Sequence, residues 1–190
     1  MLYKISTTIC FLFFKWFSSL EVFGRECIPD KGNFILASNH LSNLDPPLLS
    51  SACPRQLAIV AKKELFKTKI SSFYFKKVGT IPIERGKISL QTMKTLVKIL
   101  AKKPILIFPE GSRGAGLKNA QKGAGFLCKK AKVPVIVARI FGTDQILPRG
   151  KTFPRRKKVK LVFKLVENID FSQKSDQINK KIIDTIENIK

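Results

Sequence analysis

Three features of this 190-residue chain predict a single α/β domain with a largely parallel central sheet flanked by helices. Strand-like runs alternate with helical stretches from Phe34 to the C-terminus, the order that builds crossover units. Pro104–Phe108 is continuously apolar rather than alternating, as expected of a strand covered on both faces. Val133–Phe141 reads the same way, with Arg139 its one charge. The length is that of one domain able to bury a full core, with no internal repeat and no long linker.

Residues 1–23 stand apart by their aromatic content, with Phe11, Phe13, Phe14, Trp16, Phe17 and Phe23. At about 100° per residue, Ile5, Ile9, Leu12, Phe13, Trp16, Phe17 and Leu20 fall in one broad arc. Lys4, Thr7, Thr8, Lys15, Ser18 and Ser19 fall opposite, with Phe11 among them. Lys15 interrupts a run that would need about 20 apolar residues to span a bilayer, and no small-residue cleavage site follows. The pattern suits a helix lying in a membrane interface, and also one packed on the domain's own core. The domain proper is expected over residues 24–190. Phe34–Ala37 is a short strand, Pro46–Ala52 a helix and Gln56–Ala61 a second strand. A helical region opening at Lys62–Phe66 is broken by Gly79, before a strand at Thr80–Ile83. Ile88–Lys102 is a helix whose Met93, Leu96, Val97 and Leu100 share a face. Gln121–Lys132 is helical, Val159–Val166 alternates as an edge strand should, and residues 173–190 carry an apolar stripe at Ile178, Ile182, Ile186 and Ile189.

Charge narrows the partners. Thirty-six Lys and Arg against 13 Asp and Glu give a net charge of +23, so the surface attracts polyanions: nucleic acid, anionic lipid or an acidic protein. Four cysteines, at 10, 27, 53 and 128, form no C-x-x-C pair and no cluster with histidine. Free thiols and no metal site are expected.

His40 is the only histidine, so any chemistry needing an imidazole near neutral pH falls to it. Asp45 follows five residues later. On one continuous helix the two would lie about 140° apart and would not meet. A strand ending at Ala37, a polar turn, and a helix started by Asp45 as cap with Pro46 at its first position would fold them together. The carboxylate would then fix the imidazole tautomer and leave the other nitrogen free as a base. A turn histidine beside an N-cap aspartate accounts equally for these two residues. Two further stretches sit where strands end, the ligand-binding edge of open α/β sheets. Arg85, after the 80–83 strand, is placed to grip a phosphate, or to pair with Glu84 at the surface. In Phe108-Pro109-Glu110-Gly111-Ser112-Arg113-Gly114, glycines permit close backbone approach, Glu110 can accept from a hydroxyl and Arg113 can bind an anion. A nucleophile elbow at Ser112 would need glycine at position 110, which is glutamate.

Asn39-His40-x-Ser42-x-x-Asp45, Ile83–Gly86, Phe108–Arg113 and Val133–Ile136 resemble, in order, the four blocks of the glycerolipid acyltransferase family, most nearly its bacterial 1-acylglycerol-3-phosphate branch. Pro82 and Val137 depart from its second and fourth blocks. The resemblance implies transfer of a fatty acyl group from an acyl thioester to the sn-2 hydroxyl of 1-acylglycerol-3-phosphate, giving phosphatidate. It makes His40 the general base, oriented by Asp45, and puts Arg85, Glu110, Gly111, Ser112 and Arg113 at the acceptor. Backbone N–H groups near Gly111 are candidates for stabilising the oxyanion. It implies no cofactor or metal, acyl-CoA or an acyl carrier protein as donor, and association with an anionic membrane at its cytoplasmic face. A different lysophospholipid or a lyso-aminolipid is the alternative acceptor. A basic nucleic-acid-binding protein is the alternative of another class. It rests on charge alone, since no zinc finger or basic zipper is present and the aromatics do not interleave with the basic residues.

Overall fold

The structure, a computed structural model, describes residues 1–83, 90–114, 116–117, 120, 123–148 and 150–190. Its centre is a seven-stranded sheet: β1 (Glu21–Phe23), β2 (Ile35–Ser38), β3 (Ala58–Lys62), β4 (Thr80–Ile83), β5 (Ile105–Ile107), β6 (Val135–Phe141) and β7 (Lys160–Leu165). The spatial order is β1-β7-β6-β2-β5-β3-β4. Every neighbouring pair is parallel except β6 with β7. The central strands read as predicted because they are buried on both faces: Ile35, Leu36 and Ala37 of β2 and Val135, Ile136 and Val137 of β6 are all 0% exposed. In the fourth block, Val135 and Ile136 are core residues of β6, while Val133 is partly buried and Pro134 exposed at the strand entry. Pro82 lies on β4 at the sheet edge, where a missing N–H costs least.

The helices are α1 (Leu2–Ser18), α2 (Asp45–Ala52), α3 (Lys69–Lys77), α4 (Leu90–Leu100), α5 (Gly123–Ala131), α6 (Thr143–Ile146) and α7 (Ser175–Glu187). On one face of the sheet, Phe14 of α1 and Leu48 and Leu49 of α2 pack with Phe34, Leu36 and Leu106. On the other face, Met93, Leu96 and Leu100 of α4, Leu127 of α5, and Ile178, Ile182 and Ile186 of α7 pack with Ile35, Ala37 and Ile105. The isoleucine stripe of α7 and the apolar face of α4 are thus the buried surfaces their periodicity predicts.

Three expectations change. β7 is not an edge strand: it lies between β6 and β1, and the short β1 forms the edge. Three residues carry too little periodicity to be read as a strand. The N-terminal helix stops at Ser18, with Ser19 left-handed at φ 44°, and Glu21–Phe23 joins the sheet. Its packing seam is also displaced from the arc read in the sequence. Phe14 is buried and Cys10 and Phe17 are partly buried against the core, while the Tyr3 hydroxyl joins α2 to the start of β3, lying 3.5 Å from Ser50 O and accepting the Leu57 N–H at 3.2 Å. Leu2, Ile5, Ile9, Leu12, Phe13 and Trp16 remain exposed, Trp16 at 75%. The helix therefore packs on the core with one face and leaves a second apolar face uncovered. No helix among the described residues is long and apolar enough to cross a membrane.

All four cysteines are free. Burial pushes the Cys53 and Cys128 thiols up to about 11, so both stay protonated and inert at neutral pH.

α5 and α7 cross closely at Gly125. A Cβ on Gly125 would sit 2.1 Å from Ser175 O and 2.7 Å from Asn179 Cβ. The same crossing lets Asn179 Oδ1 accept the Gly125 N–H at 3.1 Å, serving a donor in the first turn of α5. Gly125→Ala must separate the two helices and is expected to cost about 1–3 kcal/mol, as overpacking does. In a chain of this size that lowers Tm by about 2–4 °C per kcal/mol in a thermal melt.

Candidate active site

The sheet's carboxyl edge is where β2 and β5 diverge. Both are central and adjacent, yet the chain leaves β2 into α2 on one face and leaves β5 towards α5 on the other. The crevice opened by such a divergence is the usual ligand site of an open α/β sheet. His40 and Phe108-Pro109-Glu110 stand at its two lips.

Asn39 sets the geometry. Its Nδ2 donates to Ile140 O at 2.9 Å and its Oδ1 accepts from Ile140 N at 2.8 Å. The side-chain amide thus imitates a peptide group and continues the β2–β6 pairing for one more step. The backbone, relieved of that pairing, turns outward and carries His40 off the sheet.

His40 Nδ1 lies 2.8 Å from Asp45 Oδ2. The same oxygen accepts the backbone N–H groups of Leu41 at 2.6 Å and Ser42 at 2.7 Å, and Oδ1 accepts Thr143 Oγ1 at 2.6 Å. Asp45 and Thr143 are both 0% exposed, while the His40 side chain keeps 16%. A backbone N–H can only donate, so Oδ2 is an acceptor and the Nδ1 facing it carries the imidazole proton. Nε2 is left with its lone pair and, among the described residues, with no hydrogen-bond partner. Phe108 stacks on the imidazole, ring centroids 4.1 Å apart and planes 21° apart, and prevents the ring from rolling about its bond to Asp45.

Asp45 is not the cap expected from its sequence. It is the first residue of α2, Leu44 precedes it as cap without a side-chain bond, and Pro46 and Pro47 follow within the first turn. Its carboxylate reaches back to the turn at Leu41 and Ser42 instead of forward to helix N–H groups. The dyad and the capped turn were competing readings, and the geometry is that of the dyad: the aspartate closes the turn on the histidine.

Glu110 is turned inward and 5% exposed. Oε1 accepts the His40 N–H at 3.0 Å and Oε2 the Gly116 N–H at 3.2 Å, while His40 O accepts the Gly114 N–H at 3.0 Å. The carboxylate read as a hydroxyl acceptor therefore joins the two lips of the crevice. Gly111, left-handed at φ 68°, and Arg113 line the cavity, whereas Ser112 is exposed and does not. The Gly111 N–H, a candidate oxyanion donor, donates to Phe108 O at 3.0 Å in this structure. Arg85 lies outside the described residues. Thr143, Asn39 and Phe108 carry no chemical signal in isolation. Asn39 and Phe108 do open the first and third family-like blocks, and Thr143 follows a glycine after a buried strand.

The crevice opens into a cavity of about 790 Å³, inside the range of small-molecule sites. Its walls are mainly apolar, including Ile59, Leu65, Phe75, Val78 and Leu96, with Tyr3, Ser6, Thr7 and Cys10 of α1 along one side. No cluster of three or more metal-ligating side chains occurs among the described residues.

Thr143→Val keeps the side-chain shape but strands Oδ1 of a fully buried carboxylate. A loss of about 1–3 kcal/mol is expected in chemical denaturation, and Thr143→Ser, which keeps the hydroxyl, should recover most of it.

Comparison with known proteins converges on one family. The sequence profile of the acyltransferase family matches residues 19–140. The 1-acyl-sn-glycerol-3-phosphate acyltransferase of Bacillus subtilis is 29% identical over 145 residues, 75% of this chain and 71% of that protein. The protein of the same name from Streptococcus pneumoniae is 33% identical over 107 residues, 55% of this chain but only 40% of its own length. The crystal structure of the 1-acyl-sn-glycerophosphate (LPA) acyltransferase from Thermotoga maritima superposes with a TM-score of 0.80 at 25% identity, covering 97% of this chain and 76% of that one. The matched span runs from the end of α1 through β6 and contains both lips of the crevice, and on that evidence the chain belongs to the acyltransferase family.

Proposed function

We propose that the protein is a membrane-associated acyltransferase that moves a fatty acyl group from an acyl thioester to the sn-2 hydroxyl of 1-acylglycerol-3-phosphate, giving phosphatidate. The observation that carries this reading is the His40–Asp45 pair at the crevice, with Nε2 unpartnered beside a large apolar-walled cavity. The names borne by the relatives, together with a lone base, favour direct transfer between two bound substrates over a covalent enzyme intermediate.

In this mechanism the acceptor hydroxyl passes its proton to His40 Nε2 as its oxygen attacks the thioester carbonyl. Asp45, already accepting the Nδ1–H, stabilises the imidazolium that forms. The tetrahedral intermediate collapses, the C–S bond breaks, and the departing thiolate takes the proton back from Nε2. Phe108 and Glu110 hold ring and backbone still, so that the base does not have to be oriented at the moment of reaction. Arg113, on the cavity wall, and Arg85 are assigned to the acceptor phosphate. The apolar walls take the acyl chain. The donor is acyl-CoA or an acylated carrier protein, either of which suits a chain of net charge +23.

His40→Ala is expected to lower acyl transfer by about 10²–10⁴-fold, the usual contribution of a positioned base, and Asp45→Asn by up to about 10⁴-fold. Labelled acyl donor and a panel of acceptors measure both. Near-normal turnover by His40→Ala would remove the base assignment, and preference for an acceptor without a phosphomonoester would move the substrate to another lysolipid.

The uncovered apolar face of α1 is assigned to the membrane interface, beside the cavity wall that α1 itself forms. Because Ile9, Leu12 and Trp16 point away from the core, the triple replacement by Asn is expected to leave the thermal melt intact and to reduce co-sedimentation with vesicles. Unchanged sedimentation would assign that face to some other covering.

A further inference from the structure

The segment between α6 and β7 is not used by the site. Residues 147–159 contain six Lys or Arg and no Asp or Glu. Lys151 to Lys158 are all exposed, and in their midst Phe153 is 84% exposed. None of Lys151, Arg155, Arg156, Lys157 or Lys158 has a carboxylate within salt-bridge distance among the described residues. A lone exposed phenylalanine is ordinary, and a run of cations is usually a solvated one. Two observations set this loop apart.

The first is that it is pinned. The Arg155 N–H donates to Ile146 O at 2.7 Å and closes the base, and the Lys151 N–H donates to Pro148 O at 3.0 Å within it. The aromatic ring is therefore held out on a built turn. The second is its neighbour. The Val159 N–H donates to Ser18 O at 3.1 Å, and Arg156 Nη2 approaches Trp16 O at 3.5 Å. The loop thus sits against the C-terminal end of α1, next to Trp16 and the exposed apolar face that ends there. At its other end, Leu147 O lies 3.5 Å from Ser42 Oγ in the turn that carries His40.

We infer that residues 150–158 form a second membrane contact, distinct from α1, in which Phe153 enters the acyl boundary of a bilayer while the surrounding cations bind anionic lipid headgroups. An exposed aromatic among unpaired cations matches that surface in both polarity and sign. Nucleic acid would match the sign but gives Phe153 no apolar phase to enter. Two contacts, the loop lying against the C-terminal end of α1, would fix the domain's tilt on the membrane where α1 alone would leave it free to roll. The inference rests on the interfacial reading of α1.

Trp16 is the only tryptophan, which makes the test separable. Its fluorescence in the native chain reports α1. A Trp16→Phe/Phe153→Trp chain reports the loop. Both are titrated with vesicles of one-third phosphatidylglycerol in phosphatidylcholine, with and without brominated acyl chains. The expected result is a blue shift and bromine quenching of both indoles. Replacing Arg155, Arg156, Lys157 and Lys158 by Ala should weaken partitioning about fivefold per charge removed, on anionic vesicles only. A shift of Trp16 without any change in the F153W indole overturns the loop contact and leaves α1 docking intact. No response from either indole overturns both readings. Tight, salt-sensitive binding to duplex DNA with no vesicle response overturns the lipid assignment in favour of nucleic acid.

Discussion

A carboxylate wholly removed from water is tolerated only when its acceptor sites are filled by donors held in place, because an unpaired buried charge costs several kcal/mol. Asp45 is such a group, and much of the site's architecture serves it. Two donors come from the turn immediately before it, one from α6 nearly a hundred residues away, and one is the imidazole it orients. The turn, the start of α2 and the start of α6 are therefore fixed to one another by a single side chain. The histidine inherits its tautomer and its aim from that arrangement.

The opposite lip is joined by a similar device. Glu110 has one oxygen on the His40 N–H and the other on the glycine loop that follows β5, and that loop returns a hydrogen bond to His40 O. Two loops leaving adjacent strands towards opposite faces would otherwise drift apart. Bound in this way they form one rigid rim, with the polar groups facing each other and the apolar wall left to the cavity. Both carboxylates, Asp45 and Glu110, are engaged by donors of the protein itself.

The N-terminal helix shows how one element can satisfy two descriptions. Its aromatic residues exceed what one packing face needs. Phe14 and Phe17 go to the core, Tyr3 joins α2 to the start of β3, and Ile9, Leu12 and Trp16 remain in the open. An apolar surface of that kind marks an interaction site, and it lies on the same helix whose Tyr3, Ser6, Thr7 and Cys10 line the cavity.

The chain by itself determined the alternation of strands and helices, the buried faces of α4 and α7, and the family to which its blocks pointed, because each rests on local periodicity or on a short ordered motif. His40 was singled out because no other imidazole exists. The edge position of β1 and the interior position of β7 were not legible, since strand order depends on pairings between distant segments and three residues carry no period. The roles of Asn39, Phe108, Thr143 and Glu110 were hidden for the same reason. Each is an ordinary residue whose function lies in a partner that is far away in sequence, and Thr143 becomes a donor to Asp45 only once β6 has packed beside β2. Whether Asp45 caps its helix or faces His40 belonged wholly to the tertiary structure: the two are five residues apart in either case, and only the filling of the carboxylate's remaining acceptor sites turns it towards the imidazole.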